Sequence, residues 1–170
     1  MTLYDENVEL YDIAFDWDVR GEVEWLLERL GPDCPSVLEP GCGSGRILEA
    51  VARRGVEIVG FDLSVAMVKF ARQRLADAGI DAAVVVADMS AFDLGRSFGG
   101  AICPINTLGH LTPDDLARHF ACVARHLVTG ARYLVQVGLL DPADELGASS
   151  CEAERSGVKL RVTWEGIARD

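Results

Sequence analysis

Three glycines at alternate positions, Gly41, Gly43 and Gly45, follow a short apolar run in the segment VLEPGCGSGR (residues 37–46). Glycine in a turn between a strand and a helix allows positive φ angles, and it lets a ligand lie against bare backbone at the helix N-terminus. In open α/β sheets the ligand crevice lies beyond the carboxyl ends of the strands. The segment therefore predicts a strand–turn–helix unit that binds a nucleoside-like ligand.

Apolar, β-branched runs alternate with amphipathic segments along most of the chain. Ser64 and Thr112 are expected to cap two helices, and Gly130 to end the last one. Five strands that alternate with helices predict an α/β fold: a Rossmann-like, doubly wound and mostly parallel sheet with helices on both faces. The predicted strands are 36–39, 56–62, 82–88, 100–105 and 131–140, and the predicted helices are 17–30, 45–54, 64–78 and 112–130.

The last segment, residues 147–170, has a different pattern. Apolar and polar residues alternate after Ser156 and Gly157, a pair typical of a two-residue hairpin turn. We therefore expect an antiparallel ribbon after the parallel sheet. The whole chain is then a single domain with an N-terminal lid arm and helix (1–30), a βα core that carries the ligand site (36–140), and the ribbon.

The acidic charge of the chain limits its partners. The formal net charge is −11, and the first 30 residues, with nine acids and two arginines, contribute −7 of it. A nucleic-acid-binding protein would usually present a basic face, because phosphate contacts dominate that affinity. The acidic arm is either a solvated surface or an acidic lid that favours a cationic cofactor or an amine substrate.

No feature of the sequence indicates a membrane or a metal. Apolar runs are shorter than the roughly 20 residues that span a bilayer, and the acidic N-terminus does not resemble a signal peptide. We therefore expect a cytoplasmic protein without membrane contact. The five cysteines are odd in number and include no CxxC pair, which is typical of neither a disulfide framework nor a zinc site.

The spacing of the glycines argues against a dinucleotide. The dinucleotide fingerprint GxGxxG would need a glycine where this chain has Arg46, and the third glycine is instead Gly45. Glu39, two residues before the first glycine, would repel a pyrophosphate and suits a cationic or amino-bearing ligand. An NAD-dependent oxidoreductase is therefore the less favoured alternative.

At these residues the chain resembles a known family. The stretch LEPGCGSGR looks like motif I of the class I S-adenosylmethionine-dependent methyltransferases, and the resemblance covers about residues 4–140. It implies that Asp62, at the end of the second strand, hydrogen-bonds the ribose hydroxyls of the cofactor. It also implies that Asp88, at the end of the third strand, lies beside the adenine amino group.

The same resemblance implies the rest of the cofactor site. Leu63 and Met67 would line the adenine pocket, and Met89 would offer the adenine its backbone N–H and an apolar contact. The segment CPINTLGHL, after the fourth strand, would flank the methionine part and the methyl acceptor. The implied S-adenosyl-L-methionine site comprises Glu39, Gly41, Cys42, Gly43, Gly45, Asp62, Leu63, Met67, Asp88, Met89 and Asn106.

The predicted reaction is methyl transfer to the nitrogen or oxygen of a small molecule. Residues 103–106 read CPIN and lack the (Asn/Asp)-Pro-Pro-(Tyr/Phe) motif of enzymes that methylate exocyclic base amines or glutamine amides. Together with the acidic charge, this departure argues against nucleic-acid and protein-amide acceptors. Tyr4 and Tyr11, in an arm that resembles the lid of small-molecule methyltransferases, and Thr107 are candidate substrate contacts. His110 is the candidate general base, with a capping or surface role as the alternative.

After the fifth strand the sequence departs from the pattern of this family. The family usually has two further strands after the fifth, so we expect this chain to end before the last strands, with the ribbon as an insert. A cofactor-binding but inactive truncated domain, or an interaction module, is therefore the second hypothesis. An uncovered apolar edge would favour a homodimer through the C-terminal ribbon.

Overall fold

The computed structural model describes residues 4–138 and 148–165, which form a helix-covered sheet and a separate two-stranded ribbon. Within these ranges no helix has the length and apolar character to cross a membrane. The elements in chain order are α1 (Val8–Ala14), α2 (Arg20–Leu30), β1 (Ser36–Pro40), α3 (Arg46–Ala52), β2 (Glu57–Asp62), α4 (Val65–Asp77), β3 (Ala83–Val86), β4 (Phe98–Cys103), a short 3₁₀ helix (Thr107–His110), α5 (Pro113–Arg125), β5 (Leu127–Val135), β6 (Ala148–Arg155) and β7 (Val158–Glu165).

The sheet is parallel throughout, and its strand order is β3-β2-β1-β4-β5. The chain runs outwards from β1 through β2 to β3, and then returns to the other side of β1 with β4 and β5. The crevice in which open α/β sheets bind ligands therefore lies beyond the carboxyl ends of β1 and β4. This topology confirms the predicted Rossmann-like α/β fold.

Helices cover both faces of the sheet, and the strands are accordingly apolar on both sides. Val37 and Leu38, successive residues of β1, are both fully buried but belong to two different core clusters. Val37 shares its cluster with residues of α2, α3 and α4, and Leu38 shares its cluster with residues of α5. Successive strand side chains point to opposite faces, so a strand buried on both faces reads as a continuous apolar run.

Two helix starts agree with the prediction from local sequence. The Ser64 Oγ accepts the N–H of Met67 at the start of α4. The Thr112 Oγ1 accepts the N–H of Asp115 at the start of α5, whose first residue is Pro113. Each cap satisfies a backbone donor that has no partner inside its helix, and proline at the first position needs none.

Helix α2 begins at Arg20, later than the predicted start at Trp17. The backbone N–H and the guanidinium of Arg20 both bind the Asp18 carboxylate, which holds a turn just before the helix. Trp17 instead packs against the guanidinium of Arg46, which lies 4.4 Å from the Trp17 ring centroid. The helical spacing of Trp17 therefore reflects a tertiary contact and not an extra turn of α2.

The predicted end of the last helix at Gly130 is wrong. Strand β5 already begins at Leu127, and Gly130 lies inside it with a φ of 85°. The pairing of β4 with β5 shifts at this point, from Phe98↔Leu127 to Gly100↔Arg132. A strand with extra residues against its partner must bulge, and glycine at positive φ accommodates the bulge.

The ribbon β6–β7 is antiparallel and packs against α1. Ser156 and Gly157 connect its strands with φ angles of 52° and 82°. Two positive φ angles are typical of the hairpin turn that the sequence predicts. The antiparallel ribbon is thus confirmed for residues 148–165, whereas 139–147 and 166–170 lie outside the described residues.

Candidate functional site

The loop between β1 and α3 turns sharply because its three glycines all have positive φ angles. The values are 67° at Gly41, 53° at Gly43 and 80° at Gly45. The Gly43 N–H donates to one oxygen of the Asp62 carboxylate (2.9 Å), and the other oxygen accepts the N–H of Ser64 (2.9 Å). Asp62, the last residue of β2, therefore ties the glycine loop to the start of α4.

Two of these glycines also lie where a side chain would not fit. A Cβ at Gly41 would be 2.5 Å from the Thr107 Cγ2, and a Cβ at Gly45 would be 2.9 Å from the Ala71 Cβ. Contacts this short force one of the two groups to move. Gly41 thus allows the 3₁₀ helix after β4 to approach the loop, and Gly45 allows α4 to pack against the start of α3.

A cavity of about 420 Å³ lies at the carboxyl ends of β1 and β2 and next to the segment that follows β4. We call Glu39, the loop residues 41–44 and Asp62 its loop side. We call Tyr4, Tyr11 and His110 its arm side. The cavity therefore lies where the sheet topology places the ligand crevice.

Glu39 is buried in the cavity wall. Its side chain is 3% exposed, and its Oε2 has no hydrogen-bond partner within the described part of the chain. Burial raises the pKa of Glu39 to about 8, although the nearby Arg46 cation acts in the opposite direction. A buried carboxyl group without a partner costs free energy, which a cationic or N–H-donating ligand in the cavity would recover.

Asp88 and Met89, directly after β3, form another part of the cavity wall. The Asp88 Oδ1 accepts the backbone N–H (2.7 Å) and the hydroxyl (2.8 Å) of Ser90. The Met89 carbonyl is 3.0 Å from the Nδ1 of the buried His119, so that nitrogen carries the proton. The His119 Nε2 then accepts the Tyr133 O–H (2.7 Å). These side chains hold Met89 from behind the cavity.

The three residues of the arm side contact one another through their side chains. The Tyr4 hydroxyl is 3.3 Å from the Nε2 of His110, and the two rings meet edge to face. The rings of Tyr4 and Tyr11 lie 5.5 Å apart between centroids. Burial raises the pKa of Tyr11 to about 12, and burial together with the charge of Asp62 raises the pKa of Tyr4. Both phenols therefore remain protonated at neutral pH and can donate a hydrogen bond.

The structure brings most of the candidate residues to this cavity. Those that line it are Tyr4, Tyr11, Glu39, Gly41, Cys42, Gly43, Asp62, Leu63, Asp88, Met89, Thr107 and His110. Gly45, Met67 and Asn106 are not among the lining residues. The Met67 side chain is fully buried, on the side of α4 that also buries Val68, Ala71 and Leu75. Asn106 uses its Oδ1 to accept the N–H of Gly138 (3.0 Å) in the turn region after β4.

Arg46 also lines the cavity, a role that the glycine spacing alone does not indicate. Its side chain is 7% exposed, and its Nη1 has no hydrogen-bond partner among the described residues. Trp17 covers the guanidinium from one side. The position of Arg46 directly after the last glycine was the one sequence feature that could have indicated this role. Its burial, however, depends on Trp17, which is distant in the sequence.

Comparison with known families decides the assignment. Residues 37–130, more than half of the chain, match the family described as a methyltransferase domain. This chain belongs to that family. The matched range contains the glycine loop, Asp62 and Asp88, so the resemblance read from the sequence motifs is confirmed.

Similar proteins include enzymes that modify amino sugars. The dTDP-3-amino-3,4,6-trideoxy-alpha-D-glucopyranose N,N-dimethyltransferase of Streptomyces venezuelae is 33% identical over 138 residues, which are 77% of this chain and 56% of that protein. The dTDP-4-amino-2,3,4,6-tetradeoxy-D-glucose N,N-dimethyltransferase of Saccharopolyspora spinosa is 30% identical over 138 residues, which are 77% of this chain and 54% of that protein. The chain thus spans about half the length of these curated relatives.

A solved structure shows the same architecture. The crystal structure of Streptomyces venezuelae DesVI superposes with a TM-score of 0.81 at 26% sequence identity. The match covers 95% of this chain and 69% of that chain. The described residues therefore share the fold of that solved structure.

Proposed function

We propose that this chain binds S-adenosyl-L-methionine and that the protein transfers a methyl group to the amino nitrogen of a small molecule, a nucleotide-linked amino sugar. The observation that carries the proposal is the Glu39 oxygen that lacks a partner among the described residues and lies in the wall of the cavity. It favours a ligand with a cationic, N–H-donating group at this point, and the methionine ammonium of the cofactor is such a group.

The residues of the cavity fit each part of this cofactor. Glu39 would accept from the ammonium group, and the bare backbone of residues 41–44 would face the methionine part. Asp62 can also accept ribose hydroxyls, because a carboxylate oxygen that accepts one backbone N–H keeps a second lone pair. Asp88 and Met89 would hold the adenine edge. Bound in this way, the cofactor supplies a methyl group on an electrophilic sulfonium.

The arm side would orient the acceptor and accept its proton. A protonated amine has no lone pair for attack, so the amine must reach the methyl group in its neutral form. The imidazole of His110, whose Nε2 lies 3.3 Å from the Tyr4 hydroxyl, would accept this proton as the general base. Tyr11 and Thr107 would position the sugar. Alignment of the nitrogen with the methyl group and exclusion of water would contribute most of the rate enhancement.

Charge favours an amine over a hydroxyl acceptor. The wall of the cavity includes the carboxylates of Asp5, Asp62 and Asp88 against the single guanidinium of Arg46 in its described part, and Glu39 adds a further negative charge once it loses its proton. An excess of negative charge raises the local concentration of cationic amines. The two relatives above are named as N,N-dimethyltransferases of amino sugars, which supports the same class of acceptor.

Calorimetric titration with S-adenosylhomocysteine tests the cofactor site. We expect micromolar binding by the wild-type chain and about tenfold weaker binding by Glu39→Gln, since the amide oxygen can still accept the ammonium N–H but lacks the charge that strengthens this bond. Glu57→Gln is the matched control, because Glu57 is an exposed carboxylate of β2 that pairs with Arg96. Absence of binding by a folded wild-type chain would contradict the proposal.

Mass spectrometry of the products tests the reaction. With S-adenosylmethionine and a dTDP-linked amino sugar, we expect one or two methyl groups on the nitrogen. The analogue with a hydroxyl in place of the amine should remain unmodified. Binding of S-adenosylhomocysteine without methylation of any amine would favour the second hypothesis, a cofactor-binding module without turnover.

We also propose that the ribbon mediates homodimerisation. A two-stranded ribbon has two open edges, and an open edge can pair with a second copy. Light scattering should show a dimer for the wild type and a monomer for Thr163→Pro, because Thr163 lies opposite Ser150 at a position of β7 whose N–H points to the open edge. A wild-type chain that stays monomeric at the concentrations used for the assays would contradict this proposal.

A further inference from the structure

Asp12, on α1, is a buried carboxylate outside the cavity that has partners in three other parts of the fold. Its side chain is 1% exposed. Its Oδ1 accepts the hydroxyl of Ser44 (2.7 Å) and the guanidinium of Arg74 in α4. Its Oδ2 accepts the Nη1 of Arg155 (2.7 Å), the last residue of β6. One carboxylate thus joins α1 to the glycine loop, to α4 and to the ribbon.

The Ser44 contact connects Asp12 directly to the glycine loop. Ser44 is 2% exposed and lies between Gly43 and Gly45. Tyr11, the residue before Asp12, lies against the same loop: a Cβ on Gly43 would be 3.6 Å from the Tyr11 hydroxyl. A displacement of Asp12 would therefore disturb the loop side and the arm side of the cavity together.

The charge balance around Asp12 depends on the ribbon. Arg74 is shared between Asp12 and Glu49, and Arg155 is shared between Asp12 and Asp16. Without Arg155, Asp12 would keep Arg74 as its one guanidinium partner among the described residues, and Arg74 also binds Glu49, which has a second partner in Arg53. A buried charge that loses a partner is strongly destabilising, whereas an exposed one is not. The buried position of Asp12 therefore favours a ribbon that is docked on α1.

We infer that Asp12 and Arg155 are positioning residues through which the ribbon sets the affinity of the cofactor site. Arg155 binds Asp12, and Asp12 binds Ser44 of the glycine loop. Because Asp12 belongs to α1, these bonds also fix α1, whose Tyr11 packs against the same loop. The identity of the ligand rests on the proposed function, but the coupling between the ribbon and the loop does not.

The ribbon offers two arginines for a matched comparison. Arg155→Met removes the ion pair with Asp12, whereas Arg161→Met removes an exposed pair with Glu152 inside the ribbon. We expect Arg155→Met to weaken binding of S-adenosylhomocysteine about tenfold and to raise the KM for S-adenosylmethionine by about the same factor. The KM for the acceptor should rise by a smaller factor, through Tyr11, and kcat at saturating cofactor and acceptor should stay within about twofold. Arg161→Met should change none of these constants by more than about twofold.

Two further variants separate positioning from general stabilisation. Arg155→Lys keeps a cation near Asp12 and should recover most of the affinity, although it cannot bind in a fork. Asp12→Asn combined with Arg155→Met should weaken binding by less than the product of the single effects, because both changes break the same link. A lower thermal midpoint in Arg155→Met with unchanged affinity would overturn the inference.

Hydrogen exchange of the ligand-free chain tests the coupling without any cofactor. Arg155→Met should speed exchange at residues 8–15 and at 42–46, and Arg161→Met should not. A wild-type chain that bound no S-adenosylhomocysteine would contradict the proposed function. The exchange rates of Arg155→Met and Arg161→Met would still show whether the ribbon is coupled to the glycine loop. Unchanged exchange at both segments in Arg155→Met would overturn it.

Discussion

The two sides of the cavity differ in how far apart their residues lie along the chain and in what holds them. The loop side comes from residues 39–62, and two backbone N–H groups bind the carboxylate of Asp62. The arm side joins Tyr4 to His110, which is 106 positions away, through a 3.3 Å contact between exposed side chains. Local chain geometry therefore supplies the contacts of the loop side apart from the bond between Ser44 and Asp12, whereas the arm side depends wholly on how the N-terminal arm docks.

Because of this difference, substitutions on the two sides of the cavity should have different effects. Changes on the loop side should act on stability and on cofactor affinity, because backbone and buried groups are involved. Changes on the arm side should act on the acceptor and leave the fold intact.

Gly41→Ala should have the largest effect. The new Cβ would lie 2.5 Å from the Thr107 Cγ2, at a φ of 67°. Positive φ costs a non-glycine residue about 1–2 kcal/mol and overpacking adds about 1–3 kcal/mol, so urea unfolding should show a loss of about 2–5 kcal/mol. Gly79→Ala is the control, with the same φ of 67° and no atom within 4 Å of the added Cβ. Equal destabilisation of the two variants would show that Thr107 moves aside at little cost.

Glu39→Gln should stabilise the ligand-free chain at high pH while it weakens binding. The pKa of Glu39 in the folded chain is about 8, against 4.5 for an ordinary glutamate. The folded state thus retains a proton that the unfolded state releases, and stability is lost as the pH rises from about 4.5 through 8. The variant lacks this titration, so at pH 9 its free energy of unfolding should exceed that of the wild type by about 1–3 kcal/mol.

Calorimetry in buffers of different ionisation enthalpy sharpens the Glu39 prediction. Near pH 7, binding of S-adenosylhomocysteine should release a proton from the wild type, because a bound ammonium group favours the charged carboxylate. Glu39→Gln should release none from this site. Equal proton release by the two proteins, or parallel curves of stability against pH, would contradict the role assigned to Glu39.

His119, behind the loop side, predicts a pH dependence of the opposite sign. Burial lowers its pKa below the ordinary value of 6.5. The unfolded chain therefore binds a proton near pH 6.5 that the folded chain does not, so stability should fall as the pH drops below about 6.5. His119→Asn keeps an N–H for the Met89 carbonyl but does not titrate. Between pH 7 and 5 the unfolding free energy of His119→Asn should fall less steeply than that of the wild type. The difference in slope should correspond to at most about one proton taken up on unfolding, and an equal slope would contradict this role of His119.

Tyr4→Phe should have the smallest effect and act only on the arm side. It removes an exposed hydrogen bond to His110, which is worth about 0.5–1.5 kcal/mol. The kcat/KM for the acceptor should fall about two- to tenfold, while affinity for S-adenosylhomocysteine stays within about twofold. A loss of cofactor affinity as large as that of Glu39→Gln would place Tyr4 in the cofactor site and end the distinction between the two sides.

Features that depend on a few neighbouring residues were predictable from the sequence. The Ser64 and Thr112 caps, the Ser156-Gly157 turn and the strand–glycine–helix unit each follow from backbone rules that act over four or five positions. The alternation of apolar strands with helices predicts the doubly covered sheet, because burial on both faces leaves a continuous apolar run. Family motifs then located most of the cavity wall.

Features that depend on contacts between distant elements appeared only in the folded chain. Met67 faces the core because of how α4 sits on the sheet, and Gly130 fills a bulge because β4 and β5 pair out of step. Packing likewise leaves the Glu39 Oε2 without a hydrogen-bond partner in the part of the chain that the structure describes, and it forms the link from Asp12 to Arg155. The sequence alone determined which elements form and where the ligand crevice opens, because those properties are local. Tertiary structure decided which charges are buried and what they bind, since burial depends on every element that packs around a side chain.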